Sequence, residues 1–342
     1  MNSIIIKTLS EIKSLVTLVL IIFLLKVTIV EAYIVPTGSM ENTIMTGDFL
    51  LGSRFNYGMR TPDWIGVPYT DKGIDIPHFR FPSFKKPDRG DIIIFKYPRD
   101  PIYKYVKRCI ALPGEEIKIN DRKVFIDGEE YPFPDNGKFI SQKLPSEYNQ
   151  RELFLPELGN KDFLKSVRVP KKGDTFTIND STDWRYLLPI ILSDGHSAYL
   201  KSRDKIFQFT LIDPNDVFRR KGSREIFSDY FPHGKFINPW SWSIKDSDFQ
   251  FLYINEKPLT EFKSYTVKQD YYWAMGDNRD DSLDSRFWGF IPFDYILGEA
   301  LFAYFSVDLS SWKGFASSLL NPLEWGNLFT LERMKRIGKI LK

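Results

Sequence analysis

Bond-breaking chemistry needs a nucleophile with a base, or a metal, and this chain of 342 residues offers few candidates for either. Its single cysteine is Cys109 and its three histidines are His78, His196 and His233. No pair among them has the C-x-x-C or H-x3-H spacing that zinc favours, so a structural zinc cluster is excluded and no metal ligand is assigned. A serine activated by histidine is poorly supported, because the imidazoles are scattered and no G-x-S-x-G elbow occurs. The S-x-x-K pattern appears at Ser10/Lys13, Ser83/Lys86, Ser202/Lys205 and Ser310/Lys313. Without S-D-N or K-T-G companions these are chance matches to a two-residue pattern. The lone thiol forbids an intramolecular disulfide, so cysteine usage leaves the redox compartment open.

Three segments are more informative. The first is Pro36-Thr37-Gly38-Ser39-Met40. The second runs Tyr105-Val106-Lys107-Arg108-Cys109-Ile110-Ala111-Leu112-Pro113-Gly114-Glu115. The third runs Gly276-Asp277-Asn278-Arg279-Asp280-Asp281-Ser282-Leu283-Asp284-Ser285-Arg286-Phe287-Trp288-Gly289. Read without context, Ser39 is a turn or cap serine, Lys107 a surface lysine and Asp277 to Asp281 a solvated turn.

The elements that must carry these segments are mostly strands. Short apolar runs follow turn residues, as in Phe49 to Leu51 after Thr46-Gly47-Asp48 and Asp91 to Tyr97 after Asp88-Arg89-Gly90. Val124-Phe125-Ile126 leading into Asp127-Gly128 predicts a hairpin, because that pair accepts positive φ. Leu297 to Val307 reads as a core strand. The content of 29 Phe, 17 Tyr and 8 Trp also suits a β-rich fold. Residues 62 to 87 hold five prolines among aromatic residues and predict an extended loop, packed or in shallow contact with lipid. Residues 131 to 266 are more polar and rich in turn signals, and read as an inserted, mainly β cap domain.

Both ends are distinctive. Leu15 to Leu25 is apolar apart from Thr17, and the stretch from Leu15 to Tyr33 would reach about 28 Å as a helix, enough for a bilayer core once Lys26 snorkels. Lys7 and Lys13 precede it and Glu31 follows, which places the start of the chain inside and the bulk outside. A cleaved signal peptide ending near Ala32 and a buried core helix are the alternatives. At the other end Leu328, Leu331, Met334, Ile337 and Leu341 recur at helical spacing among basic residues, predicting an amphipathic helix for anionic lipid, for the protein's own surface or for neither. The formal net charge of +3 is concentrated there, in Arg333, Lys335, Arg336, Lys339 and Lys342, so a nucleic-acid surface is not indicated.

The three segments, in this order, strongly resemble the boxes of bacterial type I signal peptidase, the membrane-anchored Ser-Lys endopeptidase that removes signal peptides. Arg89-Gly90-Asp91 with Ile92 to Phe95 resembles the remaining core-strand box. The likeness covers residues 33 to 60, 87 to 130 and 268 to 308, with the middle block and the tail outside it. It implies an antiparallel β-sheet core in two pieces, 34–130 and 267–308, interrupted by the cap 131–266, preceded by a retained anchor at 1–33 and followed by a tail at 309–342. A cut after Ala32 would release the enzyme from the membrane where its substrates lie.

The same resemblance implies that Ser39 is the nucleophile and Lys107 the general base, and that Thr37 and the backbone N–H of Ser39 form the oxyanion hole. Threonine stands at 37 where the family often has serine, which keeps the hydroxyl and adds a methyl. Ser282 would orient the lysine, Asp284 and Arg286 would brace the site as an ion pair, and Gly276 would permit close backbone approach. A lysine base must be unprotonated, and lowering its pKa from ~10.4 to about 8 requires roughly 3 kcal/mol of destabilisation of the ammonium. Strand alternation sets Lys107 on the side of Tyr103 and Tyr105, with Lys104 and Arg108 opposite. The implied substrates are signal-peptide-bearing pre-proteins cut after Ala-x-Ala, bound as an extended strand near Ser39, Phe49 and Lys107 at the outer face of the cytoplasmic membrane. The implied enzyme needs no cofactor and works as a monomer. Its rivals are a specialised pilus or organelle peptidase with the same dyad, and a tethered binding protein that kept the fold.

Overall fold

The computed structural model describes residues 8, 10–18, 21, 30–61, 63–66, 73–202, 205–212, 235–240, 244–308 and 330–341. The elements that matter for the site are, in chain order, β1 (Val30–Ile34), β2 (Asp48–Ser53), β3 (Ile92–Tyr97), β4 (Asp100–Ala111), β5 (Glu116–Asn120), β6 (Lys123–Ile126), β7 (Glu129–Tyr131), α1 (Trp184–Ser193), β8 (Tyr271–Met275), α2 (Ser285–Trp288), β9 (Ile296–Ser306), α3 (Leu331–Met334) and β10 (Lys339–Ile340). The fold is mainly β; where a strand register is described the pairing is antiparallel, except that Lys205–Phe209 runs parallel to Lys235–Ile237. Gly47 and Gly90, at φ of +91° and +92°, reverse the chain just ahead of β2 and β3, so the turn signals mark true strand starts.

The chain divides into two compact units. One comprises Met1–Gly38, Thr43–Ile94 and Leu297–Lys342. Its strands run in the order β1-β2-β9-β3, with β10 added to β9. Leu50, Ile92, Ile93, Ile94, Ala300 and Ala303 are all buried, and because Ile92 to Ile94 alternate in direction both faces of that strand are covered. At Gly52 a Cβ would fall 2.6 Å from Ile94 Cδ1 and 2.9 Å from the Tyr33 ring, so a side chain there would force one or both to shift.

At both chain ends in this unit some of the described residues differ from expectation. Residues 10–18 are helical and exposed, but most of the predicted anchor lies outside the described residues. Among the described residues no helix is long and apolar enough to cross a membrane. The final residues assigned to that span, Val30 to Tyr33, belong instead to β1, hydrogen-bonded to β2 from Val30↔Ser53 to Ile34↔Phe49. The tail is not the predicted helix either. Helix α3 makes one turn, Gly338 at φ +82° ends the turn that follows it, and β10 pairs with β9 through Phe302↔Ile340 and Ala303↔Lys339.

The cause is electrostatic. Asp48 is fully buried, and Arg336 reaches it with Nε 3.0 Å from both carboxylate oxygens and a further contact from its Nη2. Ser306 Oγ and the Met45 N–H donate to the same carboxylate. Arg336, Lys339 and Arg333 also donate to the carbonyls of Thr43 and Thr46. Arg333 and Arg336 are thus turned inward while Lys335 stays exposed, and Leu331 (78% exposed), Met334, Ile337 and Ile340 face outward whereas Leu341 is buried. A buried carboxylate demands a counter-charge, and that demand overrides helical amphipathicity.

The other unit comprises Ser39–Asn42 and Phe95–Ile296. Here β4 pairs with β8, and β5, β6 and β7 form a meander. The predicted hairpin is present, with Asp127 and Gly128 at φ +50° and +89° joining Ile126 to Glu129. The block 131–266 lies within this unit and includes α1, capped at its start by Asp183, whose carboxylate accepts the N–H groups of Arg185 and Tyr186. One apolar cluster fills it, joining Ile110 and Ala111 of β4, Ile117 and Ile119 of β5, Leu187, Leu188 and Ile191 of α1, and Tyr271 and Trp273 of β8.

Candidate active site

All contacts described for the site fall within this second unit. Ser39 opens a turn that continues to Thr43 and holds Asn42 at φ +75°. Lys107 projects from the middle of β4, which holds it in place through its pairing with β8. Lys107 Nζ lies 2.6 Å from Ser39 Oγ and donates as well to the Val106 carbonyl at 3.1 Å. Both side chains are withdrawn from water, Ser39 at 7% and Lys107 at 3% exposure. The Tyr105 ring lies 5.4 Å from the ammonium, as strand alternation requires.

Burial is the main cause that brings the Lys107 pKa down to about 8. Asp284 and Asp277 oppose the shift, Arg286 adds to it, and Asp281 opposes it. Among the described residues the ammonium makes no ion pair, so desolvation wins.

The third segment holds the nucleophile's backbone. Asn278 N–H donates to the Ser39 carbonyl at 3.1 Å, and Asp277 N–H donates to Met40 Sδ. Gly276 sits under this contact. A Cβ there would be driven against Ser282 Oγ and within 2.5 Å of the Ser39 carbonyl oxygen. Ser282 is buried, but its hydroxyl makes no hydrogen bond to Lys107.

Asp284 and Arg286 are fully buried and joined by two bonds of 2.8 Å, with the Gly276 N–H donating to the same carboxylate. Burial pushes the Asp284 carboxyl up, but Arg286 and the Gly276 N–H hold it below its ordinary value. Arg286 also donates to the Arg279 carbonyl at 2.6 Å, so the pair braces the loop it belongs to. Thr37 is exposed and lies two residues before Ser39, at the close of the first unit.

Sequence reasoning missed one feature. Asp277 to Asp280 is not a solvated turn: Asp277, Asn278 and Arg279 are buried, as is the side chain of Asp280. Arg108, next to Lys107 on β4, grips Asp277 with Nε to Oδ1 at 2.9 Å and Nη2 to Oδ2 at 2.7 Å. Nothing in the spacing of residues 108 and 277 signals this pair, because it arises only when β4 and the third segment meet.

A hydroxyl held against a desolvated amine, with the neighbouring carbonyl fixed from behind, can attack a carbonyl carbon and discharge its proton locally. The family model for signal peptidase, peptidase S26, matches residues 8–195 and 242–305. Signal peptidase I of Buchnera aphidicola subsp. Acyrthosiphon pisum (strain APS) is 27% identical over 334 residues, covering 97% of this chain and 82% of the relative. Signal peptidase I of Rickettsia bellii (strain OSU 85-389) is 25% identical over 335 residues, covering 96% and 85%. A crystal structure of a signal peptidase I from Enterococcus faecalis V583 is 20% identical and covers 64% of this chain and 98% of its own, with a TM-score of 0.23. That superposition says nothing about the fold, which rests on the strands themselves. With the family model spanning most of the chain, and the serine and lysine of its likeness meeting in one buried contact, the chain belongs to the signal peptidase family, peptidase S26, as a bacterial type I signal peptidase.

Proposed function

We propose that the protein cleaves signal peptides from secreted pre-proteins through a Ser39–Lys107 dyad. The observation that carries this reading is the buried 2.6 Å contact between Ser39 Oγ and a lysine whose pKa is lowered to about 8. In the neutral form Lys107 accepts the Ser39 proton as Oγ bonds to the scissile carbonyl carbon. The C–N bond then breaks, the leaving amine takes that proton, and an acyl-enzyme remains. Lys107 next takes a proton from a water as it attacks the ester carbonyl, and returns that proton to Ser39 Oγ as the acyl C–Oγ bond breaks, which frees the carboxylic acid product and restores the dyad. The Thr37 hydroxyl and the Ser39 N–H donate to the developing oxyanion, and loss of one such donor typically slows the reaction by about 10² to 10³. Gly276 and the Asp284–Arg286 pair support the site from below.

The substrate binds as an extended segment ending in Ala-x-Ala beside β4, with small apolar side chains in alternate pockets. The core is read as two pieces, 34–130 and 267–308, with 131–266 inserted between them and the tail 309–342 following. The apolar run before β1 serves as a single anchor in the cytoplasmic membrane, and the enzyme works as a monomer on its outer face. The inward turn of Arg333 and Arg336 supports a different lipid contact from the one their sequence suggests, made by Leu331, Met334, Ile337 and Ile340. The reading is tested by incubating the detergent-solubilised full chain with a pre-protein, beside Ser39→Ala and Lys107→Met. Wild type should release the signal peptide and both variants should not. Full activity in either variant would sink the mechanism.

A further inference from the structure

Behind the nucleophile lies a limb of the chain, residues 133 to 161, that the dyad chemistry does not use. Its first contact is Lys138. The Lys138 N–H donates to the Asp277 carbonyl and the Lys138 carbonyl accepts the Arg279 N–H, both at 3.0 Å, so the two segments form a parallel bridge. On the opposite edge of the same stretch, the Asn278 N–H holds the Ser39 carbonyl. The Lys138 ammonium then reaches Glu41, two residues after Ser39, at 2.6 Å. Ser39, Glu41, Lys138 and Asn278 thus close a ring around the nucleophile's backbone.

The limb is itself firmly seated. Asp280 accepts the N–H groups of Ile140 and Ser141, each at 2.8 Å, and is paired with Lys161. Together these donors outweigh burial and bring the Asp280 carboxyl down to about 2. Phe133 and Phe139 stack at 5.1 Å, with the Arg279 guanidinium over one ring and that of Arg122 over the other. A ring fixed on one side by a seated limb restricts where Ser39 Oγ can go, and a misplacement of about 1 Å can cost two orders of magnitude in rate.

We infer that Lys138 is a positioning residue for the reaction: through its bridge to Asp277–Arg279 and its ion pair with Glu41, it holds the Ser39 turn in register with Lys107. The inference rests on the reading of Ser39 as nucleophile. Its charge is the testable part, because the backbone bridge survives substitution whereas the ion pair does not. An ion pair of this exposure is worth up to about 1 kcal/mol, which limits the expected effect to about fivefold.

The test uses the full chain in detergent with Lys138→Met, Glu41→Gln, the double variant, and the swap Lys138→Glu with Glu41→Lys. Two rates are read: turnover of a pre-protein, and acylation of Ser39 by an activated ester followed by intact mass, with Ser39→Ala as the blank. Each single variant should lower kcat and the acylation rate by about three- to fivefold with KM unchanged. The double variant should be no slower than the slower single, the swap should recover to within about twofold, and the pH midpoint should stay near 8. Single variants at wild-type rate, losses that multiply in the double variant, a loss confined to KM, or a swap no better than the singles would each overturn the proposal. Failure of wild type to cut the pre-protein strikes the functional reading alone, because ester acylation still reports on the positioning.

Discussion

Lys107 and Arg336 are both cations withdrawn from water, yet the protein uses them in opposite ways. Lys107 meets a hydroxyl and a carbonyl, and no carboxylate pairs with it among the described residues. Arg336 meets the buried carboxylate of Asp48 with two nitrogens. Burial without a counter-charge destabilises the ammonium and yields an amine able to accept a proton near neutral pH. Burial with a counter-charge yields a brace, since guanidinium keeps its charge and its fork matches the carboxylate. Arg108 shows that the choice is made side chain by side chain: it neighbours Lys107 on β4 and is fully paired with Asp277.

The sharpest way to break this contrast is to give the base position a cation that cannot lose its proton. Lys107→Arg should reduce cleavage by about a thousandfold at every pH, whereas wild-type activity should rise through a midpoint near 8. A working arginine variant would mean that deprotonation at position 107 is not required.

At the brace the expected effect is on stability. Arg336→Met leaves the buried Asp48 carboxylate with only the distant Arg333 guanidinium, 3.9 Å away, as counter-charge and should cost about 3 kcal/mol in a denaturant melt, of which Asp48→Asn in the same chain should recover at least half. Ser306 and Met45 share with Arg336 the task of holding the Asp48 pKa below its ordinary 3.8 against burial. This contribution is therefore present at neutral pH and is lost as pH falls below 3.8 through the lowered folded value.

For Lys107 the linkage has the opposite meaning. Its folded pKa, about 8, lies below its ordinary 10.5, so burying the ammonium is a penalty in full below pH 8 that fades as pH rises towards 10.5. Lys107→Met should accordingly be inactive yet more stable than wild type at pH 7, by up to about 3 kcal/mol, with the gain shrinking above pH 8. Equal gains at pH 7 and pH 10 would contradict burial as the cause.

The smallest effect concerns the tail. Because Arg333 and Arg336 are occupied at Thr46 and Asp48, vesicle binding by the full chain should fall when Leu331 and Ile340 are changed to serine, by about twofold to tenfold. The contribution should be nearly the same on neutral and anionic lipid. A loss seen only on anionic vesicles at low salt would restore the basic face.

The turn chemistry explains how much of the fold was readable. Asp127-Gly128 predicts its hairpin because both residues accept positive φ, and the strands after Gly47 and Gly90 start where those glycines turn the chain. The turn at Asp121 and Arg122, with φ of +52° and +69°, carries no such mark. It is stabilised from outside, where Arg122 donates through its backbone N–H to the Asp162 carbonyl and through Nε to the Asp162 carboxylate. The third segment was recognisable as a string, but its acidic residues read as solvated because the arginine that buries Asp277 is 169 positions away.

From its residues alone the chain declared a serine and a lysine in ordered segments, a shortage of histidine and cysteine that turned other chemistries away, and strands announced by local turn residues. Those are properties of residue type and near neighbours, which act over a few positions. Only the tertiary structure decided that Lys107 loses its water without gaining a carboxylate, that Arg108 and Arg336 gain one, and that Leu331, Met334, Ile337 and Ile340 of the tail face outward. Desolvation and charge pairing depend on what lies within a few ångströms in space, and hydropathy spacing along the chain does not carry that distance.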